Sequence, residues 1–157
     1  MPEISLASPI GRLTIRATNE ALTAISWGET SSPEETPLLA EARRQLSAYF
    51  AGALTVFDLP FELHGSAFQK SVWNLMCRIP AGSVRTYGEI GAELGAPARA
   101  VGGACGRNPL PIIVPCHRII AANGNLGGYS GGRGVATKRY LLALEKFETR
   151  QLDLFGT

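Results

Sequence analysis

The sequence predicts an α+β fold: a small N-terminal antiparallel β-sheet with one helix, then a mainly helical, winged-helix-like domain carrying a helix-turn-helix. Short alternating runs separated by turn residues fill positions 4 to 27, and apolar residues at helical spacing dominate positions 66 to 105. A polar, proline-broken stretch lies between them. At 157 residues the chain is long enough to bury a real core in one or two domains. The domains expected are 1–63 and 64–157.

Strands are expected from Ile4 to Ala7, Leu13 to Ala17 and Leu22 to Trp27, because Ser8-Pro9-Ile10-Gly11 and Asn19-Glu20 between them are turn chemistry. After the linker GETSSPEETP, residues Leu38, Leu39, Ala42, Leu46, Tyr49 and Phe50 recur at helical spacing, with Gly52 as a stop. FDLPFELHGS reads as extended. A helix capped by Ser66 then carries Phe68, Val72, Trp73, Leu75, Met76 and Ile79 on one face and stops at Pro80 and Gly82; Cys77 is expected to pack in its core. Two short helices follow, Tyr87 to Leu94 and Ala98 to Cys105, around the turn Gly95-Ala96-Pro97. PIIVP reads as a buried strand that delivers Cys116, a glycine-rich loop comes next, and VATKRYLLALEKFE reads as the closing helix.

Charge is divided unevenly. Residues 1 to 69 hold eight acids and four bases, whereas residues 70 to 157 hold eleven bases and five acids. The basic half suits a polyanionic partner or is a solvated face. In the second short helix, PARAVGGAC, Arg99 is the one side chain able to read a base edge, and the adjacent glycines cost helix stability. Such a thin helix suits minor-groove docking with little sequence preference, and Gly102 and Gly103 could equally serve helix packing. A soluble cytoplasmic protein is expected, because the N-terminus reads as neither leader nor anchor and no apolar stretch is long enough to span a bilayer. Cys77, Cys105 and Cys116 are expected to be free thiols, and with only His64 and His117 as histidines no metal site is expected.

Cys116 stands beside His117 after a proline. A free thiol, with its pKa near about 8.5, is only slightly ionised at neutral pH, so a nucleophilic cysteine needs a base. His117 is the natural base. Neighbouring side chains of an extended chain point to opposite faces, so the two would cooperate through a water or through a turn in the backbone, and a water is expected. Glu145 on the closing helix is the expected orienting acid, with Glu148 as the alternative. A lone cysteine otherwise packs as a small hydrophobe; the adjoining histidine and glycine loop favour the nucleophile.

IPAGSVRTYGEIGAELGAPARAVGGACGRNPLPIIVPCHRIIAANGNLGGYSGG and the later LLALE closely resemble the DNA-binding and catalytic domain of the O6-alkylguanine-DNA alkyltransferases, the methylated-DNA–protein-cysteine methyltransferases. The resemblance runs from about Gly65 to Glu145, PCHRI is highly specific to that family, and the N-terminal half is similar more loosely. It implies repair of double-stranded DNA containing O6-alkylguanine, with O4-alkylthymine as a further candidate. The damaged base is flipped out and its alkyl group moves to Cys116 in a single turnover, without a cofactor, in a protein expected to be a monomer.

By the same resemblance His117 and Glu145 activate the thiol through a water, and Tyr87 rotates a backbone phosphate and donates a proton to the departing guanine. Arg99 fills the vacated stack, Asn108 is a hinge toward the active site, and Tyr129 and Ser130 close on the flipped base. Thr86, Ala98 and Ile119 complete the expected DNA- and substrate-binding positions. Residues 1 to 63 hold neither cysteine nor histidine, so the zinc site of some relatives cannot form there, and GGRGVATK is slightly longer than in some relatives. Three rivals differ in kind. A non-catalytic damage binder would lack Cys116, a thiol hydrolase would have no use for Arg99, and a redox-sensing regulator would need a base-reading helix.

Overall fold

The computed structural model describes residues 1–147, so Glu148 lies outside the described residues. The architecture is α+β. It divides into two compact units, Met1–His64 and a second that begins at Gly65.

The first unit is an antiparallel sheet, β1 (Glu3–Leu6), β2 (Leu13–Ala17) and β3 (Leu22–Trp27), in that spatial order. Its register sets Ile4 against Ile15, Leu6 against Leu13 and Ile15 against Ile25, which collects the apolar side chains on one face. Helix α1 (Pro37–Phe50) covers that face with Leu39, Ala42, Leu46 and Tyr49. Thr36 caps it, accepting from Leu39 N at 3.2 Å, and proline at the first position removes a donor that would have no partner. The proline-broken stretch runs beside β3, with Leu22 N bonded to Pro60 O and Glu62 N bonded to Leu22 O.

The second unit opens with α2 (Ala67–Cys77), whose Ser66 and Gln69 form a reciprocal cap. The Trp73 indole donates to Ala104 O at 2.9 Å and ties this helix to the one that carries Arg99. Cys77 does not pack in the core; it is exposed. The buried stripe is centred on Val72 and Met76, and Cys77 lies about 100° further round the helix than Met76. A short parallel pair, β4 (Arg85–Thr86) and β5 (Ile119–Ile120), brings the start of the helix-turn-helix beside the segment that follows Cys116.

The helix-turn-helix is α3 (Tyr87–Leu94) and α4 (Ala98–Gly106). Gly95 closes α3 in the left-handed conformation at φ 69°. Gly91 allows the tight turn, because a Cβ there would stand 2.4 Å from Ala96 O. The closing helix α5 (Val135–Leu144) buries Thr137, Lys138, Leu141 and Leu142, and Glu145 is its C-cap residue. Among the described residues no helix is long and apolar enough to cross a membrane.

PIIVP is not a strand. Its residues turn, with Ile112 at φ 78°, Val114 N bonded to Leu110 O, and only an isolated bridge between Pro111 and Val114. A short apolar run bounded by prolines has no periodicity to separate a buried strand from a buried turn.

Candidate active site

Cys116 is delivered by two consecutive tight turns. Pro115, at φ −82° and ψ 70°, occupies an inverse γ-turn closed by Cys116 N donating to Val114 O at 2.9 Å. A 3₁₀ turn then spans Cys116–Arg118. The chain is therefore not extended at the Cys-His pair, which corrects the geometry expected from sequence. Asn108 holds the turn from below: its Nδ2 donates to Val114 O at 2.7 Å and its Oδ1 accepts from Leu110 N at 2.9 Å. The amide thereby joins the end of α4 to the turn that presents the thiol.

Behind the thiol is a buried polar cluster. His117 Nε2 donates to Glu145 Oε2 at 2.7 Å, with both side chains essentially inaccessible. Arg118 grips the same carboxylate through Nε to Oε1 at 2.8 Å and Nη2 to Oε2 at 2.9 Å, and its Nη1 donates to Ile79 O. Burial alone would raise Glu145, yet the hydrogen bonds from His117 and Arg118 pull it down to about 2. A carboxylate at Oε2 places the imidazole proton on Nε2 and leaves Nδ1 with a bare lone pair. That Nδ1 is buried and has no protein hydrogen-bond partner among the described residues.

The thiol lines a cavity of 570 Å³ with Tyr87, Ala98, Arg99, Cys105, Tyr129 and Ser130. Burial pushes Cys116 up, opposed by hydrogen bonding from Asn108 and by the charge of Lys138. Lys138 is itself fully buried. Its ammonium donates to Leu126 O, to Gly128 O at 3.2 Å and to the Tyr87 hydroxyl at 3.3 Å, so it ties the glycine-rich loop to the start of α3. Burial lowers it to about 8 and raises Tyr87 to about 12. Gly127 gives Tyr87 room, since a Cβ there would lie 2.9 Å from its ring.

Cys116, Tyr87, Arg99, Ala98, Tyr129 and Ser130 thus meet on one cavity, with His117 and Glu145 forming a pair behind it. Thr86 is the N-cap of α3, accepting from Glu89 N at 3.0 Å. Ile119 lies in β5 with its side chain fully buried, so only its backbone is available to a substrate. Arg99 is exposed on α4. Among the described residues Gly102 and Gly103 do not serve helix packing: a Cβ at Gly103 would meet none of them within 4 Å, and one at Gly102 only Tyr87 at 4.0 Å. Two residues of the cluster, Arg118 and Lys138, escaped the sequence reading. Each is a cation within an apolar run, Arg118 before Ile119-Ile120 and Lys138 one helical turn ahead of Leu141-Leu142, and that was the signal available.

Two family models match. One, described as "6-O-methylguanine DNA methyltransferase, DNA binding domain", covers residues 67–147; the other, its "ribonuclease-like domain", covers residues 2–63. A methylated-DNA–protein-cysteine methyltransferase of Mycolicibacterium paratuberculosis is 48% identical over 148 residues, covering 88% of each chain. The constitutive one of Bacillus subtilis is 41% identical over 157 residues, covering 92% of this chain and 94% of its own. Among solved structures, Mycobacterium tuberculosis OGT in complex with DNA is similar at a TM-score of 0.84 and 44% identity, covering 98% of this chain and 99% of that one.

Proposed function

The chain belongs to the 6-O-methylguanine DNA methyltransferase family, and on that premise we propose how its own residues do the work. It is a DNA-repair protein that moves an alkyl group from DNA to one of its own cysteines, the activity of a methylated-DNA–protein-cysteine methyltransferase. The residue roles, the O6-alkylguanine substrate, action as a monomer and residence in the cytoplasm are our reading. Catalysis falls to residues 64–157, with 1–63 as a separate domain.

The observation that carries the assignment is Cys116 on the cavity wall, followed immediately by a histidine whose far nitrogen is held by a buried carboxylate. The helix-turn-helix docks in the minor groove, where the small residues of α4 let its backbone come close, and Arg99 enters the stack in place of the flipped base. Tyr129 and Ser130 then face that base across the cavity. His117 Nδ1 takes the thiol proton through a bridging water. The sulfur attacks the alkyl carbon, an S–C bond forms, the C–O6 bond breaks, and the electron pair passes into the guanine.

Tyr87, kept protonated by its raised pKa, donates a proton to the departing base. Lys138, donating to the Tyr87 oxygen, steadies the charge that develops there. The proton held by His117 returns to the tyrosine through solvent, which closes the balance. The thioether product has no carbonyl for water to attack, so each molecule reacts once.

The test is a duplex with one O6-methylguanine incubated with the protein, followed by mass mapping of Cys77, Cys105 and Cys116. The methyl group is expected on Cys116 alone, and Cys116→Ala should bind the duplex but transfer nothing. Transfer that persists in that variant refutes the assignment.

A further inference from the structure

Arg118 is placed by its geometry rather than by any part in the chemistry just described. Its guanidinium is buried, shares the Glu145 carboxylate with His117, and is anchored on the far side by the carbonyl of Ile79, two residues beyond α2. We infer that Arg118 is the positioning residue that keeps His117 a neutral base: by completing the charge of Glu145, it removes the ion-pair partner that would otherwise hold the imidazole protonated. The inference rests on the base role proposed for His117.

The reasoning is a charge count in a low-dielectric site. With Arg118 present, a neutral imidazole leaves the cluster at zero net charge, and a protonated one leaves a buried excess of one positive charge. Without Arg118 the count reverses, and an imidazolium paired with Glu145 becomes the neutral arrangement. Among the described residues, the other charged or titratable groups acting on this cluster are Lys138 from α5, Cys77 from α2 and Tyr129 from the glycine-rich loop, whose phenol feels the charge of Glu145. Lys138 adds positive charge and acts in the same sense as Arg118. Burial is the largest influence holding His117 below the usual imidazole range; Glu145 opposes it, and Arg118 and Lys138 reinforce it.

The consequence for function is a resting site of neutral thiol and neutral imidazole. The bare Nδ1 is then free to accept the thiol proton when substrate arrives. An imidazolium would have no lone pair to offer.

The chain has only two histidines, so the experiment is direct. The ring nitrogen resonances of His64 and His117 are followed against pH in the wild type, in Arg118→Met and in Arg118→Lys. In the wild type, His117 should stay neutral below the ordinary imidazole pKa of about 6.5. In Arg118→Met its titration should move upward by about 1–3 pH units, the effect of one full charge at contact range. Arg118→Lys should return most of that shift.

The acid limb of single-turnover alkyl transfer should move upward with the titration. A wild-type His117 that titrates at or above about pH 6.5 overturns the inference even if Arg118→Met does not fold, and an unshifted His117 in a folded Arg118→Met overturns it equally. A titration that shifts while the rate profile stays put upholds the effect of Arg118 on the imidazole and refutes instead the base role of His117.

Discussion

In residues 1–64 the charged side chains stay at the surface. Arg12 meets Glu29 at 2.8 Å and Arg44 meets Glu41 at 2.7 Å, none of the four buried, while the core between sheet and helix is apolar apart from Gln45 and Thr14. Gln45 meets its own needs locally by bonding the backbone of Asp58 in both directions. Beyond Gly65, among the described residues, the side chains of Arg118, Glu145 and Lys138 are buried together with the His117 imidazole, and all of them stand next to Cys116 or to the residues that act on it. Exposed pairs contribute little because water already solvates both partners, whereas a buried charge must be met in full by its neighbours. The second unit bears that cost where a thiol proton has to be moved, so stability and chemistry rest there on the same side chains.

The largest expected effect comes from breaking the buried cluster. Glu145→Gln should lower stability by about 3–5 kcal/mol in urea unfolding, because the Arg118 guanidinium is left buried without its partner. The pH dependence carries a sign. Glu145 is held at about 2, below the roughly 4.3 of an unfolded glutamate. Its contribution is therefore complete above the unfolded value and lost as pH falls through the folded one. The gap between wild type and Glu145→Gln should close between about pH 4.3 and pH 2, and a gap that is constant across that window refutes the assignment.

The two helices of the helix-turn-helix sharpen the comparison at the level of glycine. Gly91→Ala forces a methyl group against the Ala96 carbonyl and should cost about 1–3 kcal/mol or more. Gly103→Ala meets only open space, so it should stabilise the free protein by up to about 1 kcal/mol through helix propensity. The same change should weaken duplex binding, read by a fluorescence titration alongside the melt. A Gly103→Ala protein that is both less stable and unimpaired on DNA would contradict a glycine kept for an outside partner. At the bottom of the scale, Arg12→Ala in the first unit should change stability by less than about 1 kcal/mol, and a larger loss would show that the surface pairs carry more than their exposure suggests.

Much of the site was legible because it is written in neighbouring residues. Cys116 and His117 are adjacent, Tyr87 and Arg99 sit at recognisable places in two short helices, and Tyr129 and Ser130 lie in one loop. What escaped was relational. Lys138 reads as one more lysine on an amphipathic helix until α5 packs and its ammonium finds two loop carbonyls and a phenol. Arg118 reads as surface charge until the carboxylate at 145 arrives. Both side chains are long enough for either fate, and their own neighbours in sequence do not choose between the two.

The sequence by itself determined the three strands of the first unit and the starts of α1 to α4, to within a residue. Alternation, helical spacing, Ser66 as a cap, and glycine or proline at the stops act within a few residues of where they stand. Tertiary structure alone decided that PIIVP turns, that Cys77 faces outward, that Glu145 sits just past its helix in the grip of two donors, and that Gly103 looks onto open space. These outcomes depend on partners such as Asn108 for the turn and His117 and Arg118 for the carboxylate. The carboxylate stands 27 and 28 positions from its two donors along the chain. Local propensity does not reach that far; the packing of apolar faces brings such groups together, and only then do burial and charge decide what each of them becomes.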